Sequence, residues 1–278
     1  MPNPISDPLV ENVIVDDLSS VILEATPEGV AVVTLNRPEK KNAFDSTLIE
    51  GLTEAFETLQ GADHVRVVFI RGAGGSFCAG ADLEWMALAA GMTEDDNRSD
   101  AMTVATMFKA LSEIPAVTVA LVEGAALGGG AGLVAACDLA VAMEGARFAF
   151  SEVRLGLIPA MISPYVVEAV GPRTARALFV TGRSFDAVYA EKIGLVSEVA
   201  ADPAGLAAAQ VRITADVMAA APGAVVEAKA LAREVAGRPI DHGLMAETAR
   251  RLARRRVSEE GREGVAAFIA RRKPSWTD

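Results

Sequence analysis

The chain predicts an α/β fold: a spiral of short ββα units followed by an all-helical C-terminal region. Three observations point there. Strand-like apolar runs, turns and helix-like runs alternate through the first 150 residues, as in parallel packing. The units are shorter and less regular than those of a doubly wound sheet, so a spiral or stacked ββα arrangement fits them better. Beyond residue 201 strand signals stop, and helical periodicity runs to about residue 271. Three segments follow: a loose tail at 1–17, a body at 18–200, and a helical region at 201–278 suited to an oligomerisation or lid module.

Taken in order, residues 1–17 carry several acids, no basic start and no long apolar run, so no signal peptide is expected. Residues 21–25 and 30–35 read as a hairpin around Pro27-Glu28-Gly29, and Asn36-Arg37-Pro38 stops the second strand. Asp45 can cap a helix reaching about residue 60, with Leu48, Leu52, Phe56 and Leu59 on one stripe. A buried strand is expected at 65–71, then a glycine loop, then a short helix entered through Phe77 to Leu83. The polar, acidic residues 91–100 suggest a mobile segment, and a helix at 99–113 ends at Pro115. A strand at 116–122, a glycine turn, a helix at 130–136 and strands at 139–143 and 147–150 follow. A brief strand at 195–199 interrupts a helical pattern that begins near residue 160, with later breaks at Pro222 and near 237–239.

Composition excludes several functions. The 278 residues are 51% hydrophobic and 23% charged, an ordinary globular balance, and aromatics are scarce at 5%. A net charge of −11 argues against a nucleic-acid surface, so an anionic ligand would need a local basic cluster. The most apolar region, 116–143, carries Glu123, Asp138 and many glycines, and reads as core with no membrane span. Cys78 and Cys137 suggest free thiols in a reducing cytoplasm. His64 and His242 have no metal-ligand company, so no metal site is expected.

The chemistry concentrates in two loops. Gly128-Gly129-Gly130 joins a strand-like run to a helix-like run, leaving N–H groups at the positive end of a helix. Ala79-Gly80-Ala81-Asp82 offers a second such turn. Two N–H groups converging on one oxygen would form an oxyanion hole; a tight turn in the core is the simpler reading of either loop alone. Asp138 reads as a hydrogen-bonding group at a helix end or strand start. Glu152 is either a desolvated carboxyl suited to proton transfer or the partner of Arg154 on an exposed turn.

Together these pieces resemble the crotonase superfamily, the enoyl-CoA hydratases and isomerases. The similarity is carried in order by Leu35 to Pro38 with Asn42 to Phe44, by Phe77 to Leu83, by Gly124 to Asp138, by Phe148 to Pro159, and by Glu263-Gly264 with Ala267-Phe268. The resemblance implies a crotonase-like spiral, a coenzyme A thioester substrate with no separate cofactor, and a homotrimer or homohexamer. By matched position, the N–H groups of Ala81 and Gly129 would hold the thioester oxygen and Glu152 would move the proton. Ala79 would meet the adenine, Arg37, Lys40 and Lys41 the phosphates, and Phe268 and Lys273 would approach the adenine region. Two-carboxylate hydratases of the superfamily carry a further glutamate where this chain has Gly132. The runs Gly80 to Met86, Ser151 to Gly156 followed by Ile158 to Ala160, Ile162 to Val167 and Arg272 to Trp276 are most similar to bacterial methylglutaconyl-CoA hydratases, which serve branched-chain and isoprenoid acid breakdown. The resemblance thus implies reversible hydration of a 2-enoyl-CoA, with double-bond isomerisation, another lyase reaction or non-catalytic CoA binding as alternatives.

Overall fold

In the computed structural model residues 20–277 are described; the expected tail at 1–17 lies outside them. The hairpin forms as expected, with β1 (Val21–Ala25) antiparallel to β2 (Val30–Leu35). Asp45 caps α1 (Ser46–Gln60), its carboxylate accepting the Leu48 N–H at 2.8 Å, and the Leu48, Leu52, Phe56, Leu59 stripe is buried. β3 (Val67–Gly72), α2 (Leu83–Ala89) and α3 (Glu94–Ser112) follow. β4 (Val117–Val122) and β5 (Ala125–Leu127) lead into α4 (Gly129–Ala136), and β6 (Leu139–Met143) and β7 (Arg147–Ala149) into α5 (Ser163–Thr181). Next come β8 (Ser184–Asp186), α6 (Ala187–Lys192) and β9 (Glu198–Ala200). The helical region comprises α7 (Pro203–Ala219), α8 (Pro222–Val235), α9 (His242–Val257) and α10 (Glu259–Ala270).

The strands make two layers. A six-stranded sheet runs β1-β2-β3-β4-β6-β9, parallel except for the first pair, and a three-stranded sheet runs β5-β7-β8. Each chain turn lays one strand in the large sheet, bends, pairs briefly in the second layer, then enters a helix. β4, β5 and α4 form one such unit; β6, β7 and α5 form the next. Two earlier turns contribute only isolated bridges to the second layer, Phe44 with Ala81 and Cys78 with Ala126, both parallel. This is the ββα spiral. At the β4–β5 bend, Gly124 adopts φ +59°, and a Cβ there would lie 2.4 Å from the Gly75 carbonyl oxygen.

Both faces of the large sheet are covered, which explains its near-continuous apolar strands. Ala31, Val33, Val68, Ile70, Ala120 and Val122 face the main core with α1, α3 and α4. Val32, Val67, Phe69, Val119 and Val141 alternate to the other face, against Leu206, Ala209, Ile213 and Val217 of α7. The later helices bury far less. α8 has no fully buried residue, and α9 and α10 bury only Leu244 and Ala267.

Several expectations need correction. Residues 94–100 form the first turns of α3, not a loose segment. Thr93 caps them, its Oγ1 accepting the Asp96 N–H at 3.2 Å, and Glu94, Asp95 and Asp96 sit where the helix dipole favours anions. The strand expected at 195–199 pairs only at Glu198–Ala200, because the Leu195 and Val196 N–H groups are drawn to the Ala190 carbonyl at the end of α6. A break between α9 and α10 was not expected; Ser258 starts the second helix by accepting the Gly261 N–H at 3.1 Å.

Candidate active site

The site is assembled where β3 and β4 end. Past β3 the chain pairs with β5: the Cys78 N–H donates to the Ala125 carbonyl at 2.8 Å, and the Leu127 N–H to the Cys78 carbonyl at 2.9 Å. This ladder brings the two glycine turns into contact. A Cβ on Gly80, which has φ +91°, would lie 2.9 Å from the Leu127 carbonyl oxygen and 3.9 Å from Gly128 Cα. Only glycine permits both that backbone conformation and that approach.

Ala81 is held by its neighbours. The Phe44 N–H donates to the Gly80 carbonyl at 2.7 Å, and the Asp82 N–H to the Phe44 carbonyl at 2.8 Å. The Ala81 N–H itself donates to nothing among the described residues. Across the ladder, Gly128 takes φ +50° and ψ −118°, a glycine conformation, and places Gly129 at the first position of α4. The Gly129 N–H therefore has no intrahelical acceptor, and no side chain caps this helix end. A Cβ on Gly129 would lie 2.5 Å from the Phe44 ring, so Ala81 and Gly129 both border Phe44.

Glu152 opens a single helical turn (Glu152–Leu155) just after β7. The Gly128 N–H donates to the Ala149 carbonyl at 2.8 Å, which ties β7 to the glycine turn. The carboxyl lies against that turn: a Cβ on Gly128 would be 3.2 Å from Glu152 Oε1. Oε2 is buried with no hydrogen-bond partner. Burial pushes the Glu152 carboxyl above the usual glutamate range, offset in part by a backbone N–H. The alternative pairing with Arg154 does not form among the described residues. Asp138 takes the structural role expected of it, accepting from Thr118 N–H at 2.8 Å, Thr118 Oγ1 at 2.9 Å and Lys229 Nζ at 2.6 Å.

The basic loop is partly spent. Arg37 Nη2 lies 2.9 Å from Asp45 and 3.4 Å from Asp82, and Nη1 donates to the Ala43 carbonyl. It braces the start of α1 against the Ala81 loop, a structural task its place in the motif did not disclose. The Asp82 carboxyl is held below the usual range, first by the Glu84 backbone N–H. Lys40 pairs with Glu84 at 3.1 Å, whereas Lys41 is exposed with φ +51° and no ion pair among the described residues. The Lys41 carbonyl accepts the Ala79 N–H at 3.0 Å, so this lysine is carried on the donor loop. Asn42 is fully buried and donates from Nδ2 to the carbonyls of Ala73 (2.9 Å) and Ser76 (2.7 Å). Phe268 and Lys273 are exposed, and no hydrogen bond or ring contact among the described residues ties either to the Arg37–Lys41 loop.

Residues 25–278 match the family described as enoyl-CoA hydratase/isomerase. The chain belongs to the enoyl-CoA hydratase/isomerase family. A Mycobacterium tuberculosis relative named probable enoyl-CoA hydratase echA8 is 35% identical over 265 residues, covering 92% of this chain and 97% of its own. The crystal structure of an enoyl-CoA hydratase from Shewanella pealeana superposes with a TM-score of 0.88 at 38% identity, covering 94% of this chain and 97% of that one. Pseudomonas aeruginosa AtuE superposes with a TM-score of 0.89 at 35% identity, over 94% and 100%. The fold is thus the crotonase spiral, and the chain is an enzyme of the enoyl-CoA hydratase type. Among the described residues, no helix is long and apolar enough to cross a membrane.

Proposed function

We infer that the chain reversibly hydrates a 2-enoyl-CoA thioester, with Ala81 and Gly129 N–H groups on the thioester oxygen and Glu152 as the proton carrier. The observation that carries this is the half-buried Glu152 side chain, its Oε2 buried without a partner, lying on the glycine turn that bears the Gly129 amide. In this reading Glu152 takes a proton from water as the water oxygen bonds to C3. The C2–C3 π electrons move toward the carbonyl, giving an enolate whose oxygen the two amides stabilise. Glu152 then returns the proton to C2, so the net change is one water added. Coenzyme A enters as part of the substrate, and these steps call on no separate cofactor.

Lys41 is the cation best placed for the phosphates, with Lys40 beside it in an exposed pair with Glu84, since Arg37 is already neutralised by two carboxylates. The Ala79 carbonyl accepts no backbone hydrogen bond among the described residues, consistent with a contact to adenine. The sharper substrate is a branched, glutaconyl-type acyl group, on the strength of the Ser151–Gly156, Ile158–Ala160 and Ile162–Val167 runs. A homotrimer or homohexamer would cover the apolar side chains that α9 and α10 expose, Phe268 at 85% and Ile269 at 75% among them. In such an assembly Phe268 and Lys273 would serve a second copy. The two free cysteines suit a cytoplasmic setting.

A second reading, isomerisation of a 3-enoyl-CoA, is favoured by one observation: α4 carries glycine where two-carboxylate hydratases carry their other glutamate. One base suffices to move a proton from C2 to C4. Incubation with crotonyl-CoA, 3-methylglutaconyl-CoA and a 3-enoyl-CoA, followed by mass analysis, separates the readings. Hydration adds the mass of water and isomerisation adds none. Turnover without any water gain would sink the hydratase reading.

A further inference from the structure

Two residues in contact each break a local rule of helix formation. Gly132 lies inside α4, where glycine is disfavoured relative to alanine. Ile162 stands at the N-cap of α5, where a side chain able to accept a hydrogen bond is preferred, and it caps nothing. They meet side to side. A Cβ on Gly132 would lie 2.2 Å from Ile162 Cγ2, 2.8 Å from Ile162 Cβ and 3.2 Å from Phe108 Cε1. Distances under about 3 Å do not occur without displacement, and neither neighbour is free to move. Ile162 is 3% exposed and Phe108 fully buried, with the Phe108 ring packed on Phe44 (6.4 Å) and Tyr165 (5.8 Å).

The position matters because of where a side chain there would go. Helical Cα–Cβ bonds tilt toward the N-terminus, so a side chain at 132 would lie back over the Gly128–Gly129 turn, where Glu152 sits. We propose that Ile162 is a specificity-determining residue: by filling the space any side chain at 132 requires, it holds the site to one carboxylate, Glu152. The missing second acid is thus a packed arrangement of two residues, and no single substitution at 132 restores it. The consequence for reaction choice rests on the site assignment above; the packing itself does not.

A double-mutant cycle tests the packing. Gly132→Ala, Ile162→Gly and the double variant are compared by thermal unfolding. Gly132→Ala alone should lower Tm by about 4 °C or more through overpacking. In the Ile162→Gly background, which removes both clashing carbons, the same change should leave Tm unchanged or raise it, since alanine is the better helix former. An equal loss in both backgrounds overturns the proposal. Product analysis then tests specificity, comparing Ile162→Gly with the Gly132→Glu/Ile162→Gly pair on crotonyl-CoA and a 3-enoyl-CoA. The hydration-to-isomerisation ratio should rise at least about tenfold in the pair, as expected for a second acid–base group. An unchanged ratio defeats the specificity claim. Strong coupling in Tm, with neither thioester turned over by the unaltered chain, would uphold the packing and sink the enoyl-CoA reading instead.

Discussion

The N-terminal end of α4 and its flank one turn later have been treated in opposite ways. At the end, Gly129 leaves its backbone N–H bare, and a carboxyl with an unpartnered oxygen lies against the preceding Gly128. On the flank, Gly132 likewise lacks a side chain, yet its N–H is bonded to the Gly128 carbonyl and Ile162 and Phe108 fill its space with hydrocarbon. The same residue type therefore opens one part of the site and allows another to be sealed. Glycine does not specify a cavity; what packs against it does.

The comparison can be broken most directly at Glu152. Glu152→Gln keeps the shape and removes proton transfer, and turnover should fall at least about a hundredfold. Undiminished turnover with acyl-CoA binding intact would mean that the open end of α4 only binds. A smaller effect is expected at the turn itself. Gly128→Ala forces a side chain into a φ +50°, ψ −118° backbone and toward Glu152 Oε1. Strain of about 1–3 kcal/mol should lower Tm by several degrees and depress kcat together, and a neutral outcome would contradict the described turn.

The pH profile sharpens the same contrast. Burial favours the neutral Glu152 carboxyl, so its folded pKa lies above the unfolded one. If the ionised form begins catalysis, kcat/KM should fall as pH drops through this raised pKa, above the usual glutamate range. Stability runs the other way. The native state holds the proton more tightly, so ionisation costs stability as pH rises from the unfolded pKa through the folded one. Glu152→Gln should remove that cost and unfold at a slightly higher temperature at neutral pH. An acid limb at the ordinary glutamate value would remove Glu152 from proton transfer. Weakest is the exposed cation: Lys41→Glu should raise KM for acyl-CoA about three- to tenfold with a lesser effect on kcat. An unchanged KM would move the phosphates elsewhere.

Much of the fold was legible because periodicity and capping are local. The Leu48–Leu59 stripe, the Asp45 cap and the apolar runs of β2, β3 and β4 depend on neighbours within a few residues. β5 and β8 were not, since β5 lies inside the glycine-rich turn and β8 inside a run read as helical. The start of α3 was readable in principle from Thr93 and the acids after it, but their polarity suggested a loop. Within the site, the glycine turns and Glu152 stood out by residue type. Arg37 did not, because a cation beside a lysine pair looks like a ligand contact until Asp45 and Asp82 are seen to neutralise it.

From its order of residues alone, this protein had its ββα units, its helical C-terminus, its two donor turns and two acids to weigh, Asp138 and Glu152. Those follow from backbone preference and hydrophobic period, both short-ranged. Which acid is desolvated, which cation is already paired and whether the gap at Gly132 is empty were decided only when distant segments met. Burial, ion pairing and excluded volume depend on groups far apart in the chain, and Ile162 lies 30 residues beyond the glycine it seals.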